Sequence, residues 1–235
     1  MMNPKQRIDN QSDSFIVLSV AEETADMRLI SLNSEHIWQF IPGQIALLSG
    51  EGSGESYFAI ASAPEDRERM DFLIRNRGGT SGIIFSARVG DHVSGKGPLG
   101  KGFPIDLYHG RDLFLAAVGS AIAPLRSVIR SVNHRRASFG KIVLVYGVRH
   151  AAEFPLLDEM REWRSNDIDV ILTVSHPEGS TWKGKTGYVQ AHFGEAIDKL
   201  YHPVAMICGM ETMIQQSRDE LVQRDIPPDE ILTNY

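Results

Sequence analysis

The feature that most limits how this 235-residue chain can fold is a change of rhythm near residue 108. Beyond it, unbroken apolar runs alternate with helical patterns. "RDLFLAAVG" precedes "APLRSVIRSVNHR", and "KIVLVYGV", "FPLLDEMREW" and "DIDVILTVS" follow. After a loop come a short helix from Tyr188, the strand "PVAMICG", the helix "METMIQQSRDELVQR" and the strand "EILTN". A wholly apolar strand must be covered on both faces, and alternating helices supply that cover. This half therefore predicts a parallel α/β sheet.

The residues before the change are punctuated as β-structure. "SFIVLSVAE" (14–22), "MRLISLN" (27–33), "QIALLSG" (44–50), "YFAIASA" (57–63), "MDFLIRN" (70–76) and "DHVSGKG" (91–97) are short strand candidates. Pro42-Gly43 and "GEGSGE" separate some of them, and a single helix candidate, "TSGIIFSARV" (80–89), interrupts the series. Closely spaced short strands predict a six-stranded antiparallel barrel. The expected architecture is that barrel over residues 1–108, then a Rossmann-like α/β domain over 109–235, with the boundary between Leu107 and Gly110.

Composition narrows the partners. With 42% hydrophobic and 23% charged residues the chain is globular, and a net charge of −6 disfavours nucleic acid or an anionic membrane as partner. The one compact basic cluster, "NHRR" at 133–136, reads as a solvated helix end. The single cysteine, Cys208, rules out an intrachain disulfide and a cysteine-ligated cluster or Cys-rich zinc site built from this chain alone. The eight histidines show no ligand spacing such as H-E-x-x-H, so no metal is expected. The N-terminus, "MMNPKQRIDNQSDS", lacks the apolar run of a signal peptide. No stretch approaches the roughly 18 apolar residues of a membrane span. A cytoplasmic protein without membrane insertion is expected.

Three strand ends of the second half carry glycine: "VGSAIAP" (118–124), "YGVR" (146–149) and "CGMET" (208–212). Ligands of open parallel sheets bind beyond such ends, against helix N-termini with free N–H groups that suit phosphate. Pro124 stands where a helix's first turn tolerates proline. In the first half, "RNRGGTSG" repeats the physics: Gly78 and Gly79 precede Thr80 and Ser81 at a helix start. Arg75 and Arg77, two apart, are expected to project to one face. Caps and a solvated turn are the structural alternative. A further oddity is "SYFAIASAP" (56–64), a strand rich in small side chains where it ends.

Taken in order, "FIPGQ", "YFAIASAP", "GGTS", "GPLG", "GSAIAPLRS", "YGVR", "KTGYV" and "CGMETM" resemble the ferredoxin–NADP reductase superfamily, from about residue 14 to the end. The resemblance implies an FAD-binding barrel, a domain binding NADH or NADPH, and hydride transfer between nicotinamide and flavin in the cleft between them. It implies that the small residues let a flat flavin lie on the strand, contacting Phe58, Ala59, Ile60 and Ala61. Ser56 stands where the family pattern has arginine, Phe58 replaces a tyrosine that packs on the ring, and Ala59 replaces a serine. Arg75 or Arg77 would then hold the FAD pyrophosphate with Gly78, Gly79, Thr80 and Ser81.

The dinucleotide would be held by Gly119, Ser120, Ala121 and Pro124, by Gly147 and Arg149, and by Gly209 and Met210. Ala121 stands at the second glycine of the family's G-x-G-x-x-P turn. Ser175, with His176, falls where relatives read the adenosine ribose. The resemblance places Cys208 beside the nicotinamide and Tyr235 over the flavin, as the residues of the reaction centre. Alternatively Cys208 is a small buried hydrophobe and Tyr235 the end of a strand. The electron acceptor is unnamed, a partner protein or a small molecule. Two further readings share the fold: an electron-transfer subunit of a larger complex, and a non-catalytic relative without flavin.

Overall fold

The computed structural model describes residues 12–33 and 38–235; the N-terminal stretch read for a signal peptide lies, through Gln11, outside the described residues. The first six strands are β1 (Asp13–Thr24), β2 (Met27–Asn33), β3 (Ile45–Gly50), β4 (Ser56–Ala59), β5 (Met70–Arg75) and β6 (His92–Leu99). They join antiparallel in the order β4-β3-β6-β1-β2-β5. A bridge between Ile60 and Phe72, with the Ala61 N–H donating to the Asp71 carbonyl at 2.7 Å, brings the two edges together. Closure removes the unpaired strand edges of an open sheet. Phe15, Val17, Ile30, Leu48 and Phe72 fill the interior, and Ile84 of α1 (Gly79–Phe85) packs against them. Helix α1 stops four residues short of the expected Val89. A turn in which the Arg88 N–H donates to Asp91 Oδ2 draws the chain away towards β6.

The second sheet contains β7 (Leu113–Val118), β8 (Ile142–Val148), β9 (Ile168–Val174), β10 (Lys185–Thr186), β11 (Val204–Cys208) and β12 (Ile231–Leu232). All pairs are parallel, in the order β10-β9-β8-β7-β11-β12. Helices α2 (Ile122–Asn133) and α3 (Leu157–Ser165) cover one face, and α4 (Phe193–Ile197) and α5 (Glu211–Val222) the other. The helix expected from Tyr188 forms as a 3-10 turn, Val189–His192, leading into α4. "EILTN" contributes only Ile231 and Leu232 to the sheet.

Strand β5 joins the two halves because it is buried on both sides. Phe72 and Ile74 point into the barrel, whereas Leu73 on the opposite face belongs to the core beneath α2. The strand expected over 57–63 ends at Ala59, and Ala61, Ser62 and Ala63 pass, fully buried, under α2. Ser127 of α2 donates its hydroxyl to the Ser62 carbonyl at 2.6 Å. The small side chains of "AIASAP" thus make room for a helix of the second domain. Elsewhere Glu23 of β1 accepts the Leu156 N–H at 2.7 Å, holding the left-handed residue (φ 59°) that opens α3.

Candidate functional site: an interdomain cleft

A cleft of about 1140 Å³ runs between the barrel and the carboxyl ends of the second sheet. It lies where the order of the parallel strands reverses, with β7 flanked by β8 on one side and β11 on the other. At such a point the connections diverge to opposite faces and leave a crevice. Ala59, Arg75 and Arg77 line it from the barrel. Gly119, Ser120, Ala121 and Pro124 line it after β7, Gly147 at the end of β8 and Arg149 just beyond it, and Ser175 after β9. Cys208, Gly209, Met210 and Tyr235 complete the wall.

The three glycine strand ends do different things. Gly119 has φ +54°, a left-handed conformation that turns the chain sharply into α2. Its carbonyl accepts the Tyr146 hydroxyl at 2.7 Å, and burial pushes the Tyr146 pKa well up, so that hydroxyl stays a donor. At Gly147 and Gly209 the requirement is packing. A Cβ would stand 2.7 Å from Val189 Cγ1 at the first and 2.6 Å from Met213 Sδ at the second.

The loop after β5 is only partly the site expected. Arg75 and Arg77 do share the cleft, but Arg75 is engaged, its Nε 2.6 Å from Asp26 Oδ2 and its Nη2 3.5 Å from Glu153 Oε2. Arg77 makes no ion pair among the described residues. Gly78 and Gly79 have φ of +76° and +51°, and a Cβ on either would meet open space. Gly78, Gly79, Thr80 and Ser81 all lie outside the cleft lining, and the hydroxyls of Thr80 and Ser81 donate to the carbonyls of Gly54 and Gly78. Both hydroxyls help shape the loop.

Strand β4 departs further. Its register pairs Phe58 with Ala46 and Ser56 with Leu48, both buried in the barrel, so pleating turns Phe58 towards that core. Tyr57, 67% exposed, takes the outer face with Ala59. Ile60 packs inside the barrel and Ala61 in the core beneath α2. Of the four residues expected to touch a flavin, Ala59 alone lines the cleft.

Cys208 is 1% exposed, and burial pushes its thiol pKa far above neutrality. It is therefore a protonated thiol, 3.8 Å from Asn234 Oδ1, and no thiolate nucleophile. Asn234 also donates to the Gly43 carbonyl at 3.0 Å, strapping the chain across to the barrel and setting Tyr235 at the cleft. At the far end the Ser175 hydroxyl lies 3.1 Å from His176 Nδ1, and the His176 and His150 rings are 5.9 Å apart. His150 Nδ1 is 2.8 Å from Glu153 Oε1. Sequence reasoning missed Tyr146, His150, Glu153 and Asn234. Tyr146 and Asn234 adjoin residues it chose, while nothing in the local pattern marks Glu153.

The groups present fit two dinucleotides. A small Ala59 stands on the barrel wall with Arg77, open space faces Gly78 and Gly79 beside it, and the Gly119-Ser120-Ala121 turn ahead of α2 brings backbone to the opposite wall. The cleft exceeds the roughly 300–1,000 Å³ of a single small-molecule pocket.

Comparison with known proteins agrees. Residues 15–103 match the family model "Oxidoreductase FAD-binding domain", and residues 115–219 match "Oxidoreductase NAD-binding domain". The chain is 29% identical over 198 residues to the sulfhydrogenase 1 subunit gamma of Pyrococcus furiosus, covering 83% of this chain and 67% of that one. It is 28% identical over 178 residues to ferredoxin–NADP reductase B of Sorangium cellulosum, covering 72% of each. The solved ferredoxin NADP+ reductase of Neisseria gonorrhoeae, with bound FAD and NADP, superposes with a TM-score of 0.79 at 19% identity, covering 96% of this chain and 98% of that one. With both domain models matched in order and the two-sheet architecture to hold them, the chain belongs to the ferredoxin–NADP reductase superfamily.

Proposed function

We propose that the cleft brings a reduced nicotinamide dinucleotide against FAD and that the protein passes the electrons to a partner protein. The oxidoreductase class follows from the paired FAD- and NAD-binding domains. The observation that carries the assignment is the Gly119 turn facing Ala59 and Arg77 across one cleft. Bound FAD supplies a two-electron acceptor that can release electrons singly, chemistry that no side chain here offers.

The chain's own residues bind and orient. The backbone of the Gly119-Ser120-Ala121 turn ahead of α2 serves the dinucleotide pyrophosphate, with Tyr146 fixing the turn from behind. Arg77 and the Gly78-Gly79 backbone serve the FAD pyrophosphate, while Ala59 leaves room for the flat ring. Tyr235, 58% exposed, covers the ring where the nicotinamide must dock. Cys208 closes the floor as a neutral, poorly hydrated surface.

At the far end Ser175, His176 and Arg149 offer hydroxyl, imidazole and guanidinium groups, and Glu153 is held by Arg75 and His150. A 2′-phosphate suits that end, so NADPH is the favoured donor. A partner protein is favoured as acceptor because one cysteine cannot ligate a cluster within this chain. The sulfhydrogenase relative is itself named as a subunit. The test is to purify the protein, identify the flavin released on denaturation, and compare NADPH with NADH as its reductant. FAD, with NADPH the faster reductant, supports the assignment. FMN, or no flavin even after FAD is added, counts against it.

A further inference from the structure

Arg126 lies about one turn into α2, and its guanidinium joins four elements. The residue is 2% exposed. Nη1 donates to Asp71 Oδ2 of β5 and to the Ala61 carbonyl just past β4, each at 2.9 Å. Nε and Nη2 grip the Glu159 carboxylate of α3 at 2.7 to 3.0 Å. Asp71, wholly buried, is held in turn by the Ser31 hydroxyl at 2.7 Å.

A buried ionic cluster is a poor device for stability alone, since desolvation commonly cancels the Coulomb gain and apolar side chains would serve as well. What it adds is direction. A bidentate carboxylate on one edge and a carboxylate plus a carbonyl on the other fix the guanidinium plane, whereas apolar surfaces can slide. The segments it fixes lead straight to the cleft. Ala61 is two residues beyond Ala59 on the barrel wall, and Arg126 is seven residues beyond the Gly119 turn on the opposite wall. Arg126 itself does not line the cleft.

We propose that Arg126 is a positioning residue for hydride transfer, setting the separation between the flavin wall and the dinucleotide wall. The inference rests on the oxidoreductase assignment above. A hydrogen with its electron pair leaves the reduced nicotinamide, which is oxidised, and reduces the flavin. That step depends steeply on separation, and a displacement of about 1 Å can cost roughly a hundredfold in rate. Because Arg126 touches neither binding surface, its loss should alter the transfer step while leaving affinity in place.

The experiment compares wild type, Arg126→Lys and the charge-neutral pair Asp71→Asn/Arg126→Gln. FAD content, NADP+ affinity, thermal midpoint and the single-turnover rate of flavin bleaching at saturating NADPH are measured for each. In the double variant FAD content and affinity should stay within about twofold of wild type while bleaching slows by roughly tenfold or more. Arg126→Lys, which keeps one charge against Asp71, should restore part of the rate. An unchanged bleaching rate, or a rate that falls only in step with lost FAD or NADP+ binding, overturns the proposal. If the double variant does not fold, Glu159→Gln loosens the grip while leaving Asp71 paired, and is judged by the same criteria. Wild-type flavin that neither nucleotide reduces overturns the oxidoreductase assignment itself, and the proposal falls with it.

Discussion

The Tyr146 hydroxyl donates to the Gly119 carbonyl at 2.7 Å, so the end of β8 holds the turn that follows β7. Tyr146 is fully buried, and the left-handed conformation of Gly119 carries the Gly119-Ser120-Ala121 turn along the cleft wall. Removing the hydroxyl takes away one of the carbonyl's two donors, the other being a backbone N–H at the start of α2, and loosens the turn.

Tyr146→Phe is therefore expected to weaken dinucleotide binding. A lost hydrogen bond of about 0.5–1.5 kcal/mol corresponds to roughly two- to tenfold in affinity. FAD content should not change, because the barrel is untouched. Titration with NADP+ in both proteins measures the effect, and equal affinities would mean that the turn holds its shape alone.

Arg77 and Arg75 should separate in their effects. Arg77→Ala removes a guanidinium that makes no ion pair among the described residues, and should weaken FAD by about tenfold or more, from roughly 1.5–3 kcal/mol for a charged contact. Arg75→Ala releases Asp26 and Glu153 and should leave FAD affinity nearer wild type. Equilibrium dialysis of FAD against each variant decides between them; the reverse order would put the pyrophosphate at Arg75.

The contrast between those arginines shows what was legible in the sequence. Unbroken runs such as "KIVLVYGV" announce strands covered on both faces, and β7, β8, β9 and β11 all form. The Gly119 turn was visible as a turn, a glycine between an apolar run and a helix with an early proline, although glycine after a strand is common and does not by itself mark a binding site. Strand β4 was not. Which of Tyr57 and Phe58 faces outward depends on register with β3, and a one-residue difference reverses the faces. Nor could local pattern reveal that Ala61 to Ala63 lie under a helix 60 residues away. Arg75 looked free because its partners, Asp26 and Glu153, are 49 and 78 positions distant.

Asn234 and Tyr235 are expected to act together. The Asn234 side chain spans from Gly43 to Cys208 and sets where the Tyr235 ring lies. Deleting Tyr235 should strengthen NADP+ binding by a few-fold to about tenfold, since the nicotinamide no longer displaces a ring worth about 0.5–1.5 kcal/mol. Asn234→Ala should produce part of the same gain, and Tyr235→Phe little. NADP+ affinity and flavin fluorescence report the outcome, and no change on deletion would leave Tyr235 without a role at the flavin.

Asp66 gives the domain contact a pH dependence. Burial raises its pKa, but Arg130, the Ala63 N–H and His134 outweigh this and hold the carboxyl below its ordinary range. A depressed folded-state pKa adds stability above the unfolded value, about 3.9, and that stability is lost as pH falls through the folded value. Urea unfolding of wild type and Asp66→Asn should therefore differ by a constant amount from pH 7 to about 5. The two should converge as the pH is lowered through about 4 and below. A gap that stays unchanged at acid pH would mean the carboxylate adds no charge-dependent stability.

The visible spectrum of the purified protein, recorded without oxygen before and after NADPH is added, tests the central claim most directly. A flavin bound in the cleft predicts yellow protein with absorbance near the usual flavin bands, bleached by stoichiometric NADPH, and FAD recovered on denaturation. A colourless protein that takes up no added FAD, or a bound flavin that neither NADPH nor NADH bleaches, would contradict it.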